Sequence, residues 1–168
     1  MNTPEDRSRE ANELRKSGRY KDALEIYREL WDGQNCDGFI AAGLLHCLRK
    51  LHRLDEAITF ADDIAARYPD HSWVNLEVAW AYADYVKGMA ENGASVPVLH
   101  ACGEKALSRN PPPQAVSHIA FAIMKPAKDA KDWHTLAAWT SRVDPSLLSP
   151  AGMKLPDGKE GWSYLARW

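Results

Sequence analysis

The chain meets itself at an offset of 34 residues. At that offset Leu14 falls on Leu48, Arg19 on Arg53, Ala23 on Ala57 and Ile26 on Phe60. The segment Arg19-Tyr20-Lys21-Asp22-Ala23 aligns with Arg53-Leu54-Asp55-Glu56-Ala57, and an amphipathic run follows in each copy. A repeating unit of this length buries its apolar face only against its neighbours, so the units must stack. Each run is helical in its spacing. Ala23, Ile26, Tyr27 and Leu30 recur at three and four residues, as do Ala57, Phe60, Ala61 and Ile64. Gly18 interrupts the first copy, and Pro69-Asp70 ends the second.

Paired helices with a 34-residue period resemble the tetratricopeptide repeat family. The first copy, residues 4–37, carries Ala11, Leu14, Gly18, Tyr20, Ala23, Tyr27 and Leu30 at matching places. The second, residues 38–71, carries Leu44, Leu48, Leu54, Ala57, Ala61 and Pro69. The resemblance implies an all-α fold, an α-solenoid of antiparallel helix hairpins with three to four repeats and a partial terminal helix. Ala11, Ala23 and Ala57 then sit where helices approach closely, and Tyr20 and Leu54 fill the gap to the next hairpin.

A third copy begins at Ser72, with Ala79 and Tyr82 in register, but its closing proline, Pro111, arrives eight residues late. Gly88, Asn92, Gly93 and Pro97 place the excess between Lys87 and Pro97, in a longer first helix or an enlarged turn. In the degenerate fourth copy Val116, Ile119, Ala120 and Ile123 form one apolar face, and Pro126 is expected to end or kink that helix. Asp132-Trp133, Leu136, Ala137, Thr140 and Val143 form its second helix. Residues 1–144 thus read as the repeat domain, and residues 145–168 as a loop with a partial terminal helix. Trp162, Leu165 and Trp168 leave an apolar stripe there, and self-association through it is expected. Repeat arrays close with a polar cap, so the stripe predicts a tucked cap or a chain that continues, and continuation is favoured.

Composition excludes several classes of function. A chain of 168 residues suits one domain and buries about 70% of its unfolded surface, so it needs no disulfide or metal. A net charge of −2 gives no global attraction to nucleic acid or to anionic membrane. Phe39–Leu48, the longest uncharged apolar stretch, is about half of a membrane span. Cys36, Cys47 and Cys102 are odd in number and scattered, and the charged N-terminus lacks a secretory pattern, so a cytoplasmic location is expected. The sequence contains no glycine-rich phosphate loop, no Cys-x-x-Cys pair and no His-Glu-x-x-His helix. No enzyme, cofactor or metal is expected. His46 and Cys47 diverge by about 100° on a helix, and Asp62-Asp63 read as a solvated face.

The family resemblance implies that the first helix of each repeat lines a concave, partner-binding face. Carried over residue by residue, that face holds Ser8, Asn12, Arg15 and Lys16, then Phe39, Ala42, His46, Arg49 and Lys50, then Trp73, Leu76, Trp80 and Asp84. Asn12, Arg15, Lys16, Phe39, His46, Arg49, Lys50, Trp73 and Trp80 are the partner-binding candidates. Arg15-Lys16 and Arg49-Lys50 recur at the repeat period and form a basic ladder, although helix C-termini favour cations without any ligand. Phe39, Trp73 and Trp80 are of the types enriched at binding hot spots. Family members that grip a chaperone's C-terminal carboxylate use five groove positions. Asn12 fits one of them, but Ser8, Gly43, Trp73 and Glu77 do not, and that ligand is excluded. The partner expected is a protein or peptide. The alternative is RNA or single-stranded nucleic acid, with bases stacked on Trp73 and Trp80.

Overall fold

The computed structural model describes residues 3–31 and 37–144. Among them the regular elements are helices: α1 (Pro4–Lys16), α2 (Tyr20–Leu30), α3 (Gly38–Lys50), α4 (Leu54–Arg67), α5 (Ser72–Glu91), α6 (Val96–Leu107), α7 (Pro113–Asp129) and α8 (Trp133–Thr140). The described residues fold as an all-α solenoid of four antiparallel hairpins. None of these helices is long and apolar enough to cross a membrane.

The helix starts follow local chemistry. Thr3 and Asp6 form a capping box ahead of Pro4, Asp37 accepts from the Phe39 N–H at 3.1 Å, and Asp132 accepts from the Thr135 N–H at 3.0 Å. The first helix of every hairpin also ends in the same way. One residue turns left-handed, and the next N–H returns to a carbonyl five residues back. The left-handed residues are Gly18, His52, Gly93 and Lys131, with φ of 82°, 55°, 77° and 59°. The returning bonds run from Arg19 to Leu14, Arg53 to Leu48, Ala94 to Met89 and Asp132 to Ala127, at 2.8–3.0 Å. The fourth hairpin, degenerate in sequence, therefore keeps the turn geometry of the other three.

Helices α1, α3, α5 and α7 pack successively on one another and form one layer. The second helices stand farther apart on the other side. Side-chain ion pairs link them, Arg28 to Glu56 between α2 and α4, and Asp62 to Lys105 and Arg109 between α4 and α6. Close packing in the first layer and wider spacing in the second make the α1–α3–α5–α7 face concave. The core runs between the layers. Ala11, Ala23, Ala57 and Ala61 are fully buried at the crossings, as are Val74, Val78, Tyr82 and Val86 around α5. Tyr20 reaches the ring of His46, and Leu54 lies against Gly88 in the next hairpin.

Two expectations are refined. The excess in the third repeat goes mainly into its first helix, since α5 has 20 residues against 13 in α1 and α3. Pro126 does not end α7, which runs on to Asp129. The proline removes only the bond to the Ala122 carbonyl. Ala122 and Pro126 both line an open cleft, where water can meet that carbonyl. The expected loop and terminal helix of residues 145–168, with Trp162, Leu165 and Trp168, lie outside the described residues.

Candidate partner-binding groove

The concave face brings residues of α1, α3 and α5 together in two adjoining groups. The first gathers Arg15, Phe39 and Trp73. The Arg15 guanidinium lies over the Trp73 ring, 4.9 Å from its centroid, and donates to Asn12 Oδ1 at 2.9 Å. Phe39 is 58% exposed and touches the rings of His71 and Trp73, at centroid distances of 4.8 and 6.0 Å. Lys16 is exposed and pairs with Glu13 at 3.3 Å.

The second group centres on Glu77. This buried carboxylate faces His46 Nδ1 at 3.0 Å and accepts from the Trp73 indole N–H at 3.1 Å and from the Arg49 guanidinium at 2.5 Å. Arg49 also donates from Nε to Asp84 at 2.9 Å. Burial alone would raise the Glu77 carboxyl, but the His46 bond and the Arg49 charge outweigh it and hold the carboxyl below its ordinary range. Trp80 is half-buried, with Arg49 5.9 Å from its ring centroid and the His118 ring at 5.5 Å. Lys50 is exposed and makes no ion pair among the described residues.

The basic ladder is thus uneven. Arg49 is 8% exposed and its charge is met by two carboxylates, so it ties α3 to α5. Arg15, Lys16 and Lys50 keep their charge at or near the surface. Ala42 is fully buried and leaves the groove surface, whereas Leu76 is 42% exposed upon it.

The face sinks into two concavities. One of about 540 Å³ lies among α3, α5 and α7 and is lined by His46, Arg49, Lys50, Leu76, Trp80 and His118. A larger one of about 1020 Å³ lies between the end of α5 and α7, with Ala90, Ala94, Phe121, Ala122 and Lys125 on its walls. They meet at Lys87, Glu91 and His118. The overhang of α5 makes this shape. Asp84 is the repeat partner of Lys50, where α3 ends, and α5 continues seven residues farther, about 10 Å.

Residues 14–77 match the family model of the tetratricopeptide repeat. Over this segment the chain is similar to the tetratricopeptide repeat. No curated protein and no solved structure matches it. The matched segment runs from the last turn of α1 to Glu77, and the α5 overhang and the fourth hairpin lie beyond it. Tetratricopeptide repeats generally mediate protein–protein interaction and are typically non-catalytic scaffolds. Burial pushes the Cys47 thiol up to about 12 and also raises the half-buried Cys102, so neither is a ready nucleophile at neutral pH. Among the described residues, no three His, Cys, Asp or Glu side chains gather into a metal-binding group.

Sequence reasoning missed His118, Phe121 and Lys125, which α7 adds to the concave side. Their signal was available, since they lie outside the apolar set Val116, Ile119, Ala120 and Ile123. The lengthened third repeat hid their register.

Proposed function

We propose that this tetratricopeptide-repeat protein is an interaction scaffold, the recruitment or sensor module of a larger protein, with residues 1–144 as its repeat domain. Its concave face takes an extended partner segment carrying acidic and apolar residues. One observation supports the reading: exposed Phe39 and Leu76 and half-exposed Trp73 and Trp80 lie beside Arg15 and Lys50. Such a face offers rigid apolar contacts for affinity and cations for orientation. Base stacking draws less support. Arg15 covers Trp73, Arg49 and His118 flank Trp80, and Arg49 is neutralised by Glu77 and Asp84.

Selection from a displayed library of random peptides tests the proposal. Recovered peptides are expected to combine acidic and apolar residues. Trp80→Ala should weaken their capture by about 2 kcal/mol or more while the thermal melt stays nearly unchanged. Stability lost in step with capture would make Trp80 a core residue and remove it from the site. Binding of a single-stranded oligonucleotide that falls steeply with salt would favour the nucleic-acid alternative.

A further inference from the structure

Of the ten arginines among the described residues, nine reach a carboxylate. Arg7, Arg9, Arg19, Arg28, Arg49, Arg53, Arg67, Arg109 and Arg142 each have an Asp or Glu within 4.0 Å. Arg15 does not. Its guanidinium donates to the neutral Asn12, and its buried Nε has no hydrogen-bond partner, the one such side-chain atom among the described residues. The nearest acidic hub cannot serve it, because Glu77 is already engaged by His46, Arg49 and Trp73. Arg15 also bears on Tyr27. Burial raises the Tyr27 phenol, and a bond from Arg15 offsets part of that rise.

A half-buried cation without a carboxylate partner loses hydration, and a ring face and neutral hydrogen-bond partners repay that loss only in part. The guanidinium is nonetheless positioned, over the Trp73 ring and tethered by Asn12, beside exposed Phe39 on the concave face. A planar fork held in this way suits a carboxylate.

We infer that Arg15 is the anchor for a side-chain carboxylate of the bound segment, and that an apolar residue next to that carboxylate rests on Phe39 and Trp73. This rests on the groove reading above and names its charged contact. Arg15 then gives specificity, whereas Arg49, of the same residue type and one repeat later, holds the scaffold together.

Two measurements test it on the full chain. The first uses a defined probe, N-acetyl-aspartyl-phenylalanine amide, followed by NMR at the arginine Nε–H signals. The Arg15 signal is expected to shift saturably with this probe and much less with the asparaginyl analogue, which has no carboxylate. Equal shifts with both probes, or none with either, overturn the inference. The second is a double-mutant cycle on a peptide recovered from the library. Replacing its acidic residue by the amide should weaken binding to the wild type about tenfold and leave binding to Arg15→Gln unchanged, and Arg15→Lys should restore only part of the loss. Equal weakening in wild type and Arg15→Gln would place the carboxylate on Lys16 or Lys50 and overturn the inference. Arg15→Gln should melt at or above the wild-type temperature, and Arg49→Gln below it. Arg15→Gln melting as low as Arg49→Gln would make Arg15 structural and also overturn it. If the probe shifts Arg15 but no library peptide responds to Trp80→Ala, the anchor stands and the extended groove fails.

Discussion

Gly43 lies under the ring of Tyr27 so closely that a β-carbon at residue 43 would stand 2.4 Å from the ring Cζ. The contact joins α2 of the first hairpin to α3 of the second. It gives a prediction whose sign is diagnostic. Glycine in a helix interior is about 1 kcal/mol less favourable than alanine, so Gly43→Ala would ordinarily stabilise α3. Here it should destabilise by about 1–3 kcal/mol, because the ring is buried and has nowhere to go. Denaturant midpoints measure this. In a Tyr27→Ala background the cost of Gly43→Ala should vanish, since the two effects share one contact.

The turns that end α1, α3, α5 and α7 give a prediction of opposite sign. His52 and Lys131 hold the left-handed conformation that Gly18 and Gly93 hold elsewhere. That conformation costs a residue with a side chain about 1–2 kcal/mol, part of which glycine's own entropy cancels. His52→Gly and Lys131→Gly should each stabilise by about 0.5–1 kcal/mol in urea melts. A loss of stability would show that these side chains make contacts worth more than the relieved backbone.

These turns also show what the sequence makes legible. Gly18 was readable as a breaker, and the helical spacing around Ala23 and Ala57 placed the first two hairpins and their close crossings. The fourth hairpin was harder, because Lys131 occupies a position that glycine would have announced and Pro126 suggests an end where α7 continues. The repeat register gave the expected groove positions, of which Ala42 is buried in the fold. The division of labour between Arg15 and Arg49 did not follow from it, since both are arginines at equivalent places. What separates them is Glu77, which on sequence alone is one groove-side residue among others and in the fold collects three donors. A pairing across α3 and α5 has no local signature.

Glu77 sets the acid sensitivity of this face. Its folded-state pKa lies below the ordinary 4.5, so the ionised form is favoured in the native protein. The linked stability is fully present above the unfolded-state value and is lost as pH falls through the folded-state value. The wild type should therefore lose stability as pH falls below the ordinary 4.5, and part of that loss should be missing in Glu77→Gln, whose amide does not titrate. At neutral pH Glu77→Gln should cost about 3–5 kcal/mol, because it leaves Arg49 buried with only Asp84 opposite. Thermal melts across that pH range check both statements, and parallel curves for the two proteins would remove Glu77 from the acid transition.

A second carboxylate hub lies on the other side of the solenoid and differs chiefly in its exposure. Asp62 accepts from the Tyr82 hydroxyl at 2.5 Å and from Lys105 and Arg109, each at 2.7 Å, and so links α4 to α5 and α6. Its side chain is 37% exposed, against 6% for Glu77. Burial would raise the Asp62 carboxyl, yet the bonds from Lys105 and Tyr82 hold it below its ordinary range. Solvent nonetheless screens this group, and exposed pairs are worth about 0–1 kcal/mol. Asp62→Asn should therefore cost about 1 kcal/mol or less, several times less than Glu77→Gln. Salt separates the two further. At about 1 M sodium chloride the screening length falls to about 3 Å, so the Asp62 cost should shrink toward zero while the buried Glu77 cost persists. Urea is the denaturant to use, since guanidinium chloride would itself supply the salt. If Asp62→Asn remains as costly as Glu77→Gln in high salt, the α4–α6 bridge is a structural tie equal to the one beneath the groove.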